Sequence, residues 1–180
     1  MDASALIEPE KLWQAAEVLA RPSPIPAAPG VYGWYFTQSP DSRLSADTLL
    51  YVGIAPRRMA TRTSTQNLRK RIRYHYKGNA EGSTLRLTLG CLLGLELRRV
   101  GSGQRLTFGR EGERELTAWM QAHAYVSWFQ HPEPWLAESE LIAQLDLPLN
   151  LDQNHSNGFH PYLSSLRASA RARARQLPII

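Results

Sequence analysis

Val31-Tyr-Gly-Trp-Tyr-Phe36 is a run of aromatic and β-branched residues, and it reads as a strand. Thr37 to Asp47 is turn-prone, and Leu49-Leu-Tyr-Val-Gly53 reads as a second strand, so the two make an antiparallel hairpin. Upstream, Arg21-Pro-Ser-Pro-Ile-Pro-Ala-Ala-Pro29 cannot stay helical, because each proline removes a donor and fixes φ. Before it, Leu6 to Ala20 reads as an amphipathic helix, with Leu12, Ala15, Ala16 and Leu19 on one stripe.

Downstream, residues 54–66 form a basic loop, and Asn67 caps a helix running to about Lys77. Helices are expected over Ser83–Leu93, Glu111–Ala122 and Trp135–Leu145, the last ended by Pro148. Leu95–Val100 and Arg105–Phe108 flank Gly101-Ser-Gly103 as a second hairpin, and Tyr125–Gln130 reads as a further strand. Phe159 to Gln176 reads as a basic helix. Strands mixed with helices, without a βαβ rhythm, predict an α+β fold. Its sheet is small, antiparallel or mixed, with about three core strands flanked by helices. The expected organisation is an N-terminal helix and Pro-rich linker over 1–28, a core domain over 29–150, and a basic helical tail over 151–180 packing on that domain.

The 180 residues fit one ordinary domain, and 43% apolar with 21% charged residues is a globular composition. Collagen-like repetition, a disulfide scaffold and pervasive disorder are excluded. The lone Cys91 suits a reducing compartment, and no apolar run approaches a membrane span. Met1-Asp-Ala-Ser4 lacks the layout of a secretory signal, so a cytoplasmic address without a membrane partner is expected.

Net charge is +5, but its distribution says more. Between Asp47 and Glu81 there is no acid, while Arg57, Arg58, Arg62, Arg69, Lys70, Arg71, Arg73 and Lys77 follow one another. After Asp152 again only bases occur, among them Arg167, Arg171, Arg173 and Arg175. Segregated positive charge is the footprint of a polyanion such as DNA; a solvated cationic face with no partner has the same composition.

Two helices carry charge where apolar residues are expected. Leu68, Arg71, Ile72 and His75 share one face by their spacing, with Arg69, Lys70, Arg73 and Lys77 around the other side. Glu138, Leu141, Ile142 and Leu145 repeat that spacing, so Glu138 faces inward while Glu140 points outward. Charges are almost never fully buried unless paired. An inward Arg and an inward Glu mark either a structural ion pair or the walls of a functional cleft.

Gly30-Val-Tyr32 and Tyr51-Val-Gly53 resemble the paired tripeptides of the GIY-YIG nuclease superfamily. In the same order, Asn67-Leu-Arg-Lys-Arg71-Ile-Arg-Tyr-His75 looks like its catalytic-arginine helix, and Glu138-Ser-Glu-Leu-Ile-Ala-Gln-Leu-Asp-Leu-Pro-Leu-Asn150 looks like the segment of its metal-binding glutamate. The resemblance covers roughly residues 29–150. It implies a DNA endonuclease that hydrolyses phosphodiester bonds with one divalent cation, Mg²⁺ or Mn²⁺. Arg71 would stabilise the charge that builds on the phosphorus in the transition state, and Glu138 would supply the hard oxygen ligand a divalent cation wants.

By the same resemblance Tyr32 is the base for the attacking water, its phenolate favoured by nearby cations, with Tyr51 orienting or sharing that role. His75 would relay a proton or bind phosphate. Arg57, Arg58, Arg69, Lys70, Arg73 and Asn150 would bind substrate, with the basic loop, the outer face of helix 67–77 and the Arg-rich tail holding the backbone. Two rivals remain, a non-catalytic nucleic-acid-binding module of the same fold and a protein that binds an acidic protein. No zinc-ligand spacing, phosphate loop or dinucleotide glycine pattern exists.

Overall fold

A computed structural model of the chain describes residues 4–56 and 66–180. The N-terminal elements are α1 (Ser4–Ile7), β1 (Trp13–Gln14) and α2 (Ala15–Leu19), followed by β2 (Gly30–Phe36), β3 (Leu49–Ala55), α3 (Leu68–Lys77) and α4 (Thr84–Leu92). Then come β4 (Arg98–Val100), β5 (Arg105–Thr107), α5 (Gly109–His123), β6 (Ala124–Gln130), α6 (Pro134–Gln144) and α7 (His160–Gln176).

The main sheet is antiparallel with order β1-β6-β2-β3, and β4 and β5 form a separate two-stranded ribbon. The central strand β2 is buried along its whole length, which is why its sequence reads as continuous apolar and aromatic residues rather than an alternation. Its two faces still sort by the period of two. Tyr32, Trp34 and Phe36 join Tyr51 in a core with Val18, Leu68, Ile72, Tyr76, Leu85, Leu89, Leu116 and Leu163, which brings in α2, α3, α4, α5 and α7. Val31, Val52 and Ile54 face the other way, onto Leu6 of α1 and Ala137, Leu141 and Ile142 of α6. The α+β expectation, with its helix-flanked antiparallel sheet, is met.

The N-terminal reading is corrected. No single helix spans Leu6–Ala20; α1 stops at Ile7 because Pro9 disfavours helix at Glu8 and offers no N–H. Trp13 and Gln14 instead pair with Val126 and Tyr125 as the outer strand of the sheet.

Two caps place the helices that matter for the site. Asn67 accepts the Lys70 N–H at 3.0 Å and starts α3; Ser83 accepts the Arg86 N–H at 3.1 Å and starts α4. Each such cap contributes about 1 kcal/mol. The fully buried Arg86 ties α4 to α5, its Nη2 2.6 Å from Glu113 Oε2 and 3.1 Å from Thr117 Oγ1. Its Nη1 reaches the His75 carbonyl of α3 at 3.2 Å. Among the described residues no helix is long and apolar enough to cross a membrane.

Candidate active site

In the β2–β3 register Tyr32 lies opposite Gly53 and Trp34 opposite Tyr51, so the two tyrosines are diagonal neighbours on one face. The glycines of the two tripeptides are required by close approach. A Cβ on Gly53 would stand 2.5 Å from Tyr32 Oη and 2.7 Å from its Cζ, so the phenol lies on the bare backbone of β3. A Cβ on Gly30 would stand 2.2 Å from the Phe129 carbonyl oxygen of β6.

Tyr32 Oη is 2.8 Å from His75 Nε2, and His75 Nδ1 is 2.7 Å from Ser83 Oγ. The imidazole is wholly buried, edge-on to Trp34 with ring centroids 5.7 Å apart. Tyrosine, histidine and helix cap thus form one hydrogen-bonded line running from β2 through α3 to the start of α4. Burial pushes the Tyr32 hydroxyl well above the ordinary tyrosine value; Tyr51 and Glu138 push the same way, and Arg71 pulls against them. The expectation that nearby cations favour the phenolate is therefore corrected, because desolvation outweighs the guanidinium. The resting group is a phenol. Among the described residues its hydroxyl lies within hydrogen-bond distance of His75 Nε2.

Arg71 is half-buried and donates from Nη1 to the Gly82 carbonyl at 2.8 Å, while its Nε is buried without a hydrogen-bond partner. Burial lowers its pKa, but the hydroxyls of Tyr32, Tyr51 and Tyr74 outweigh that and the net shift is upward, so the cation is kept. No ion pair among the described residues involves Arg71.

Beside these groups lies a cleft of about 320 Å³, lined by Tyr32, Tyr51, Thr84, Thr88, Glu138, Asp152 and Arg167 among others. Glu138 is half-buried on α6 with Leu141 and Ile142 beneath it, while Glu140 is exposed, as the spacing predicts. Tyr51 Oη is 3.5 Å from Thr84 Oγ1. The structure thus collects Tyr32, Tyr51 and Glu138 around one cavity, with Arg71 and His75 in contact with its tyrosines.

The substrate-binding expectations fare differently. Arg57 and Arg58, and most of the basic loop 54–66, lie outside the described residues. Arg69 and Arg73 are not on a free solvated face. Arg69 Nε donates to the Ile25 carbonyl at 2.7 Å, and Arg73 Nη1 to the Leu19 carbonyl at 3.1 Å, so both fasten the N-terminal segment. Lys70 is exposed. Asn150 lines the same cleft, and its amide is engaged with backbone at both ends. Oδ1 accepts the Val52 N–H and Nδ2 donates to the Val52 carbonyl, each at 2.9 Å. It seals the open edge of β3 and holds the cleft wall.

As individual site residues, sequence reasoning missed Ser83, Thr84, Thr88 and Asp152, and it placed Arg167 only within the Arg-rich tail expected to hold the DNA backbone. Only Arg167 had a usable signal, since it shares a face of α7 with Leu163 and Ala174, both fully buried.

With this geometry, the family comparison has a physical counterpart. The family described as GIY-YIG catalytic domain matches residues 30–169. The chain belongs to the GIY-YIG family, and its domain is of nuclease type. No curated protein and no solved structure gives a significant match.

Proposed function

We propose that this chain is a metal-dependent DNA endonuclease that hydrolyses phosphodiester bonds in the cleft between β3, α4, α6 and α7. The observation that carries the reading is the 2.8 Å contact of Tyr32 Oη with His75 Nε2, at the wall of the cavity that also holds Glu138. A phenol with a raised pKa is a poor base alone. With Nε2 of His75 as the acceptor, Tyr32 would pass its own proton to the imidazole as it takes one from the attacking water. The net proton acceptor is then His75. In the tautomer with Nε2 as acceptor, Nδ1 carries the proton and would donate it to Ser83 Oγ, 2.7 Å away, which would hold the imidazole in place.

Arg71 supplies the fixed cation for the charge that builds on the phosphate, and its buried unpartnered Nε is a donor in reserve for that anion. Glu138, with Asp152 nearby, gives the cleft a hard oxygen donor set without sulfur, which suits Mg²⁺ or Mn²⁺. Among the described residues no three of His, Cys, Asp and Glu converge, so Glu138 would hold such an ion with water and phosphate oxygens completing the shell. The cation, once bound, polarises the phosphate and eases departure of the leaving oxygen.

Exposed Lys70, together with the loop bases Arg57 and Arg58, would add backbone contacts with DNA. The unit doing this work is residues 29–150 with the 151–180 tail packed on it. The buried free thiol of Cys91 accords with a reducing, cytoplasmic setting. The test is nicking of supercoiled plasmid with and without Mg²⁺. Metal-dependent nicking is expected. Salt-sensitive DNA binding with no cleavage in Mg²⁺ or Mn²⁺ would replace this reading with the non-catalytic module.

A further inference from the structure

Arg86 defines what a structural buried arginine looks like in this protein. It meets a carboxylate, a hydroxyl and backbone carbonyls, and it sits between α4 and α5 away from the cavity. Arg167 of α7 is 9% exposed, nearly as buried, and has almost none of this. Its Nη1 is 3.4 Å from Thr88 Oγ1, at the limit of a hydrogen bond, and its Nε is buried without a partner. No ion pair among the described residues includes it. Burial depresses the Arg167 pKa and Arg171 adds to that, while the weaker attractions of Cys91, Asp152 and Tyr51 do not offset them.

A guanidinium so placed is costly unless an anion reaches it. The side chain lines the same cavity as Tyr32, Tyr51 and Glu138, so the anion would arrive through the cleft. Tyr51 interacts electrostatically with both Arg71 and Arg167, which puts the two cations around one phenol. The planar guanidinium matches the paired oxygens of a phosphate.

We propose that Arg167 is a second substrate-binding guanidinium of the cleft, which takes a non-bridging oxygen of a backbone phosphate next to the one attacked. This rests on reading the cleft as a nuclease site. It assigns α7 a direct contact with the nucleic acid, and Thr88 the task of aiming that contact.

The test compares the parent protein with Arg167→Met, Arg167→Lys and the exposed control Arg114→Gln. The methionine variant should melt at or above the parental temperature, because an uncompensated buried cation is replaced by an apolar chain. Without divalent metal, its affinity for a short 5′-phosphorylated oligodeoxynucleotide should fall about tenfold. The slope of log K against log salt should become shallower by about one phosphate contact. In Mg²⁺, cleavage should fall about 10²-fold. Arg114→Gln should bind and cleave as the parent does.

Should Arg167→Met fail to fold, Arg167→Lys decides: parental melting with weakened oligonucleotide binding supports the contact, and parental binding overturns it. Equal oligonucleotide affinity of the parent and Arg167→Met overturns it whatever the cleavage result. A parent protein that cleaves nothing in Mg²⁺ overturns the nuclease reading instead, a failure visible before any variant is compared.

Discussion

The carboxamide of Asn150 makes both of its hydrogen bonds to the backbone of one residue, Val52, at 2.9 Å each. β3 is an edge strand, and this pair satisfies a peptide N–H and C=O that no neighbouring strand can reach. Asn150→Ala orphans both groups. We expect a loss of about 2–6 kcal/mol in urea unfolding, twice the usual cost of one unsatisfied buried group. Oligonucleotide affinity per folded molecule should barely move. Parental stability with weakened binding would return Asn150 to the list of substrate contacts.

Glu138 and Glu140 lie two residues apart on α6 and differ in exposure as they should. Glu138→Gln should abolish Mg²⁺-dependent nicking while leaving DNA binding intact, because the amide keeps the shape and loses the charge. Glu140→Gln should keep most activity. Plasmid nicking and thermal melting of both variants check this; a Glu138→Gln protein cleaving at the parental rate would refute the mechanism.

Lys70 and Arg73 separate surface charge from structure on α3. Lys70→Gln should reduce the salt slope of DNA binding by about one contact at an unchanged melting temperature. Arg73→Gln should lower stability by about 1 kcal/mol, since the Leu19 carbonyl loses its donor. If Arg73→Gln instead changes the slope and leaves the melting temperature alone, its bond to the N-terminal segment is dispensable.

Tyr32, Tyr35 and Tyr76 all have hydroxyl pKa values raised by burial, Tyr35 to about 12. In the unfolded chain they release protons near the ordinary value, about 10, while the native protein still holds them. The native state then binds more protons than the unfolded one, so stability must fall as pH rises above about 10. Melting curves from pH 9 to 11 should show that decline, and Tyr76→Phe should make it shallower. A flat profile would mean that these hydroxyls titrate alike in both states.

How much was legible in the sequence depends on how local each signal was. The β2–β3 hairpin, α3 with its Asn67 cap, and the inward turn of Glu138 follow from periodicity and capping alone. The apolar stripe of Leu6–Ala20 carries no sign of Pro9's effect on the helix or of the pairing with β6 that claims Trp13 and Gln14. Arg69 and Arg73 were misplaced for a different reason: what covers the outer face of α3 is a segment more than forty residues earlier in the chain. Arg167 was readable as an inward residue by the rule that found Arg71, a charge on an apolar helical stripe, but the Arg-rich tail reads as one backbone-holding surface in which no single arginine stands out.

Ser83 does two jobs with one oxygen, accepting the Arg86 N–H that starts α4 and meeting His75 Nδ1. Folding and chemistry therefore share a single atom. On the proposed nuclease reading, a substitution at this position would register both as a weakened fold in a melting experiment and as lost cleavage. Threonine, asparagine and aspartate each carry an oxygen that could meet both donors, but all of them add bulk to a fully buried site, so stability is hard to trade against rate there. Improvement of either property by mutation would have to begin elsewhere in the chain.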